Sequence, residues 1–154
     1  MLRLRRGAIL LGLLFAGAAA HAGLDGLWRT EHGDAHIEIA PCDDHYCGTV
    51  VWLKEPLDDQ GEIRRDPKNK DPALRDRLLR GIRILTDVPL EPDEEQVWTG
   101  GRLYDPKSGR VYRCTIRRDG PDRLRIRGFW GISLLGRNTQ WTRLDPGAPT
   151  RPQP

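Results

Sequence analysis

Cys42 and Cys47 bracket Asp43-Asp44-His45-Tyr46, a spacing open to two kinds of chemistry. Two thiols that meet across a turn form a disulfide in an oxidising compartment, and that is the expectation here. The alternative is a metal site of Cys42, His45 and Cys47, with Asp43 or Asp44 nearby. Thiolate and imidazole suit a soft divalent ion, but a fourth ligand has to come from elsewhere, so no metal is assigned. Cys114 alternates with Tyr112 and Ile116, which predicts a buried, inert thiol. A catalytic thiol needs a base or a cation to lower its pKa, and no segment supplies an evident partner.

The remaining catalytic chemistries find little support. His32 and His36 flank a turn, and no H-E-x-x-H zinc motif occurs. Ser133 sits in Gly131-Ile132-Ser133-Leu134-Leu135-Gly136, one residue too long for a nucleophile elbow. Asp66, Asn69 and Asp71 crowd one loop without the spacing of a calcium loop, and turn and capping duties explain them. No phosphate-binding glycine loop is present. The chain names no catalytic residue and calls for no cofactor.

Side chains suited to binding are more plentiful. Trp52, Trp98 and Trp130, with Tyr104 and Tyr112, are candidates to line a pocket for a small ligand, unless they simply fill the interior. Arg113, Arg117, Arg123, Arg125 and Arg127 fall on the outward phase of two consecutive strands. Such a row is either an ordinary surface balanced by acids or a basic face for an anionic partner.

The elements that must position these groups begin after residue 22. Arg3, Arg5 and Arg6, an apolar run from Ala8 to Ala20, and Ala20-His21-Ala22 form a secretory signal with a cut before Gly23. The run is shorter than the roughly 20 residues of a permanent span, so a soluble periplasmic or secreted product is expected. Subtracting those three arginines from the 25 basic residues leaves 22 against 22 acidic ones. A nucleic-acid binder would need a net basic surface, which this balance does not provide. Residues 23–144 are one domain's worth. Residues 145–154 hold four prolines and no large apolar side chain, and read as a frayed tail.

The body reads as short alternating runs separated by turn chemistry: Leu27 to Glu31, Ala35 to Ala40, Tyr46 to Lys54, Ile82 to Val88, Gln96 to Tyr104, Val111 to Arg117, Arg123 to Trp130 and Asn138 to Leu144. About eight strands at this spacing predict an all-β, antiparallel up-and-down barrel. One segment breaks the rhythm. Asp71-Pro72 is a helix start, Leu74, Leu78 and Leu79 share a face, and Gly81 can stop the helix. A helix of two or three turns must dock on the barrel, as a plug or as a lid over its mouth.

Cys47-Gly48-Thr49-Val50-Val51-Trp52-Leu53, Asp66-Pro67-Lys68-Asn69, Trp98-Thr99-Gly100-Gly101-Arg102-Leu103-Tyr104-Asp105-Pro106, Gly109-Arg110-Val111-Tyr112 and Leu124-Arg125-Ile126-Arg127-Gly128 occur in one order, closed by Gly136 and Trp141-Thr142-Arg143. The pattern resembles the bacterial family known as domain of unknown function 2147, exported proteins with a calycin-like, lipocalin-like barrel. Gly26-Leu27-Trp28 with Trp141-Thr142-Arg143 is similar to the calycin signature. That resemblance implies a closed barrel end built from Gly26, Trp28, Trp141 and Arg143, with the basic group over the indole. It implies no established activity.

Two functions follow. The first is a barrel that binds a small apolar or amphipathic molecule, the Pro72 to Arg80 helix covering its mouth. The second is an envelope interaction module with a solid core, using its arginine face on anionic glycans, lipid headgroups or a protein. A binder carries cargo, whereas the module loses its partner in high salt.

Overall fold

The computed structural model describes residues 23–129 and 136–145. The expected signal segment, the tail beyond Asp145, Trp130 and Ser133 lie outside them. Eight strands form in chain order: β1 (Gly26–Arg29), β2 (Ala35–Cys42), β3 (His45–Leu53), β4 (Arg83–Pro89), β5 (Val97–Asp105), β6 (Arg110–Arg118), β7 (Arg123–Phe129) and β8 (Arg137–Leu144). Each pairs antiparallel with the next, and β8 returns to β1 to close the barrel. Closure satisfies the backbone groups that an edge strand would leave open.

Alternation decides what lies inside. Trp28 faces Ile37, Leu85 faces Leu103, and Ile116 faces Ile126 across neighbouring strands. Trp28, Ile37, Leu85, Ile116 and Ile126 are buried, with Cys114 and Leu124 among them. Bulges interrupt the alternation between His36 and Ile37, along Tyr46 to Thr49, and between Trp98 and Gly101. Each bulge resets which residue points inward.

One end is sealed by the chain entering β1. Trp28 Nε1 donates to the Leu24 carbonyl at 2.9 Å, and the Arg143 guanidinium lies 4.2 Å from the centroid of the Trp28 ring. Arg143 also donates to the carbonyls of Asp25 and Pro121, at 2.8 and 2.9 Å. Gly26 is obligatory in this packing: its φ is +132°, and a Cβ there would collide with Arg143 Nη1. Trp141, also buried, completes this end, so the four residues assigned to it stand there together.

The long connection from β3 to β4 forms a strap. The run from Pro72 to Arg80, expected as a helix of two or three turns, is a single 3-10 turn, Pro72–Leu74, capped by Asp71, which accepts from the Ala73 N–H at 3.0 Å. The helix stops because other partners take its backbone. The Arg75 carbonyl accepts from Asp66 N–H, Leu78 bridges to Arg65, and Leu79 N–H donates to the Arg64 carbonyl. The strap therefore doubles back on itself. Its 3-10 turn stands beside the outer faces of β4 to β6, while Leu79, further along the same segment, packs against the core.

Candidate functional site

Tyr104 and Leu103 are adjacent on β5 and point to opposite sides of the wall. Leu103 opposes Leu85 and Tyr112 on the inside, while Tyr104 pairs with Val111 on the outside. The Tyr104 hydroxyl donates to Asp66 Oδ1 at 2.6 Å, fastening the strap to the barrel. Asp66 is wholly buried, and its second oxygen accepts from Asn69 Nδ2 at 2.9 Å and from Arg77 Nε at 2.9 Å. Arg77 Nη2 reaches the same oxygen at 2.8 Å, and its guanidinium sits 5.3 Å from the centroid of the Tyr104 ring. A buried carboxylate needs such compensation, and here it receives one cation and two neutral donors. Burial first, then the hydrogen bond to Asp66, pushes the Tyr104 hydroxyl up to about 12.

A second fastening lies at the β5–β6 turn. Lys68 Nζ donates to the Lys107 carbonyl at 2.8 Å. Gly109 has a φ of +68°, and a Cβ on it would overlap the Lys68 carbonyl, so the strap can pass only over glycine.

Between strap and wall lies a cleft of about 290 Å³. Leu74, Ile84, Val111 and the Tyr104 ring give it apolar surface; Leu74 and Val111 remain 39% and 55% exposed. Lys70, Arg77, Arg83 and Arg102 also line it. A smaller hollow of about 170 Å³ adjoins it, sharing Arg83 and Thr86 and reaching the Cys42–Cys47 pair.

The five aromatic residues expected to line one pocket do not converge. Trp98 is 1% exposed in the core, facing Ile116. Trp52 stacks on His36, ring centroids 4.3 Å apart, and His36 pairs with Arg29 on the phase opposite Trp28 and Ile37. Tyr112 lies on the inward phase near the opposite end from Trp28, Trp130 is outside the described residues, and Tyr104 alone reaches the cleft. The bulges beside His36 and Trp98 explain part of this, because simple alternation does not carry across them. Asp66, Asn69, Arg77 and Arg83 were missed as site residues. Asp66-Pro67-Lys68-Asn69 and Leu103-Tyr104-Asp105-Pro106 both belong to the family pattern, and their joint presence was the available signal.

The other candidates fall as follows. Cys42 and Cys47 form a disulfide, which removes both as ligands for the alternative metal site. No group of three or more His, Cys, Asp or Glu among the described residues is placed to hold a metal. Cys114 is buried, which pushes its thiol up to about 12. Arg113, Arg117, Arg123 and Arg125 are exposed and Arg127 half-buried on the outer phase; Arg117 stands opposite Arg125, and Arg102 opposite Arg113. Arg125 pairs with Asp119 at 2.8 Å.

A family model described as "Uncharacterized protein conserved in bacteria (DUF2147)" matches residues 26–143. Among solved structures, the chain is similar to protein HP1028 from the human pathogen Helicobacter pylori, described as belonging to the lipocalin family. The two share 19% identity with a TM-score of 0.68, covering 80% of this chain and 84% of that one. That likeness supports the lipocalin-like barrel fold. No curated protein matches the sequence.

Proposed function

The chain belongs to the bacterial DUF2147 family, and from that premise we propose that it is an exported carrier of a small amphipathic molecule. The ligand lies in the cleft between strap and outer wall, not in the barrel. The observation carrying this reading is the cleft itself: an apolar floor left partly exposed, rimmed by cations, beside a strap anchored at Asp66 and Gly109. Apolar concavities with a few placed polar groups are the usual form of small-ligand sites. The barrel's sealed end, by contrast, is filled by Trp28, Trp98 and Trp141. Binding follows from desolvating the ligand, and the described residues offer no activated nucleophile for catalysis.

The test is native mass spectrometry of the protein recovered from its own periplasm, before and after denaturation. Extra mass should be present in the native sample, disappear on denaturation, and be lost in Val111→Trp, which fills the cleft. Retained cargo in a folded Val111→Trp protein would put the ligand elsewhere.

A second reading rests on the register of β5 to β7. Two arginine pairs stand directly opposite each other; Asp87 and Asp119 hold one member of each, which leaves Arg113 and Arg117 without an ion-pair partner among the described residues. An outer face binding an anionic envelope component would use these two. Arg113→Glu with Arg117→Glu should then abolish retention on envelope material and leave folding intact.

A further inference from the structure

The polar groups of the cleft differ in what they have left to give. Tyr104 donates to Asp66 and accepts from Asn69 at 3.2 Å. Asn69 spends its amide on Asp66 and Tyr104, and its carbonyl accepts from Asp71 N–H at 2.9 Å. Arg77 is committed to Asp66. Arg83 and Lys70 have no anionic partner among the described residues. Arg102 has one, Asp87 at 3.2 Å, with a side chain 63% exposed and N–H groups to spare.

The uncommitted hydrogen-bonding capacity is therefore mainly cationic donors, with no carboxylate among the residues lining the cleft. Beside them stands the Thr86 hydroxyl, which donates to Asp87 at 3.4 Å and keeps its acceptor sites. Lys70, Arg83 and Arg102 are exposed and hydrated, so a neutral head group would gain little from them, an ammonium would be repelled, and an oxyanion would be attracted. Beyond Arg83 the adjoining hollow turns acidic, with Asp43, Asp44 and Asp87, which confines an anion to the side of the apolar floor. Arg113, directly opposite Arg102 on β6, adds to the positive potential at the rim although the expected mature chain is net neutral.

We infer that the ligand of this cleft is an anionic amphiphile: a carboxylate or phosphate head held by Arg83 and Lys70, with Arg102 beside them, and one short apolar tail laid over Leu74, Ile84 and Val111. This rests on the cleft reading above and specifies its chemistry. Arginine grips either oxyanion through paired N–H groups, so both heads satisfy the same geometry. The modest volume restricts the tail.

The experiment is calorimetric titration of the mature protein with octanoate, octyl phosphate, octanol and octyltrimethylammonium, all below their micelle concentrations, and with inorganic phosphate. The two amphiphilic anions should bind at least tenfold more tightly than octanol, and the ammonium not at all. Arg83→Gln combined with Lys70→Gln should weaken the anions at least tenfold and leave octanol unchanged. Equal binding of octanol and octanoate, or anion binding indifferent to those substitutions, overturns the anionic head while keeping the cleft as an apolar site. Inorganic phosphate binding as tightly as octyl phosphate overturns the amphiphile. Failure of every octyl probe overturns the inference together with the cleft reading.

Discussion

Arg77 meets Asp66 with two nitrogens on one oxygen, Nε at 2.9 Å and Nη2 at 2.8 Å, and it is the only cation bonded to that wholly buried carboxylate among the described residues. The partners are unequal, because Arg77 keeps 31% of its side-chain surface in water while Asp66 keeps none. Arg77→Ala should therefore cost more than Asp66→Asn, about 3 kcal/mol, by stranding a charge without compensation. Urea unfolding measures the loss. Limited trypsin digestion should show cutting concentrated in the strap between β3 and β4. A variant as stable and as resistant as the parent would remove the clamp.

The Tyr104 hydroxyl has a linked pH signature. Its proton is held more tightly in the folded protein, pushed from 10.0 to about 12 by burial and by Asp66. That contribution is complete below pH 10 and fades as pH rises toward about 12. Alkaline titration of tyrosinate absorbance should show a late step that disappears in Tyr104→Phe. The variant should also lose less stability than the parent over that interval.

Cys114 should ignore thiol reagents. Its burial removes access and raises the thiol to about 12, so little thiolate exists at mildly alkaline pH. Reaction with Ellman's reagent should wait for global unfolding. Rapid labelling of the native protein would show the barrel wall to be open beside β6.

Trp28→Ala should cost about 3–5 kcal/mol, measured as a lowered melting point, because it empties a wholly buried indole site and frees Arg143. An unchanged melting point would remove the plug role.

Arg117→Glu replaces a like-charged pair with an opposite-charged one across β6 and β7. It should raise stability by about 0.5 kcal/mol, a small gain because Asp119 already holds Arg125. A clear loss would mean that Arg117 is structural.

The strands were legible because each depends on local alternation and turn chemistry, and their observed bounds differ from expectation by one or two residues. The Trp28–Arg143 contact was legible through the family resemblance. The cleft was not. Asp66 reads as a turn residue until its partners arrive, and these lie 11 positions away at Arg77 and 38 away at Tyr104. The leucine pattern before Gly81 signals a helix only while the Arg75 carbonyl remains free for helical pairing, and Asp66 takes it. Long-range bonds of this kind leave no periodic trace.

The topology carries a kinetic consequence. Every strand pairing but one joins consecutive strands, and all of these except β3–β4, which spans the strap, close short loops at little entropy cost. The seam between β1 and β8 bridges nearly the whole domain. Folding should therefore run as a growing open ribbon until a single late closure, and weakening the Trp28–Arg143 contact at that seam should mainly speed unfolding.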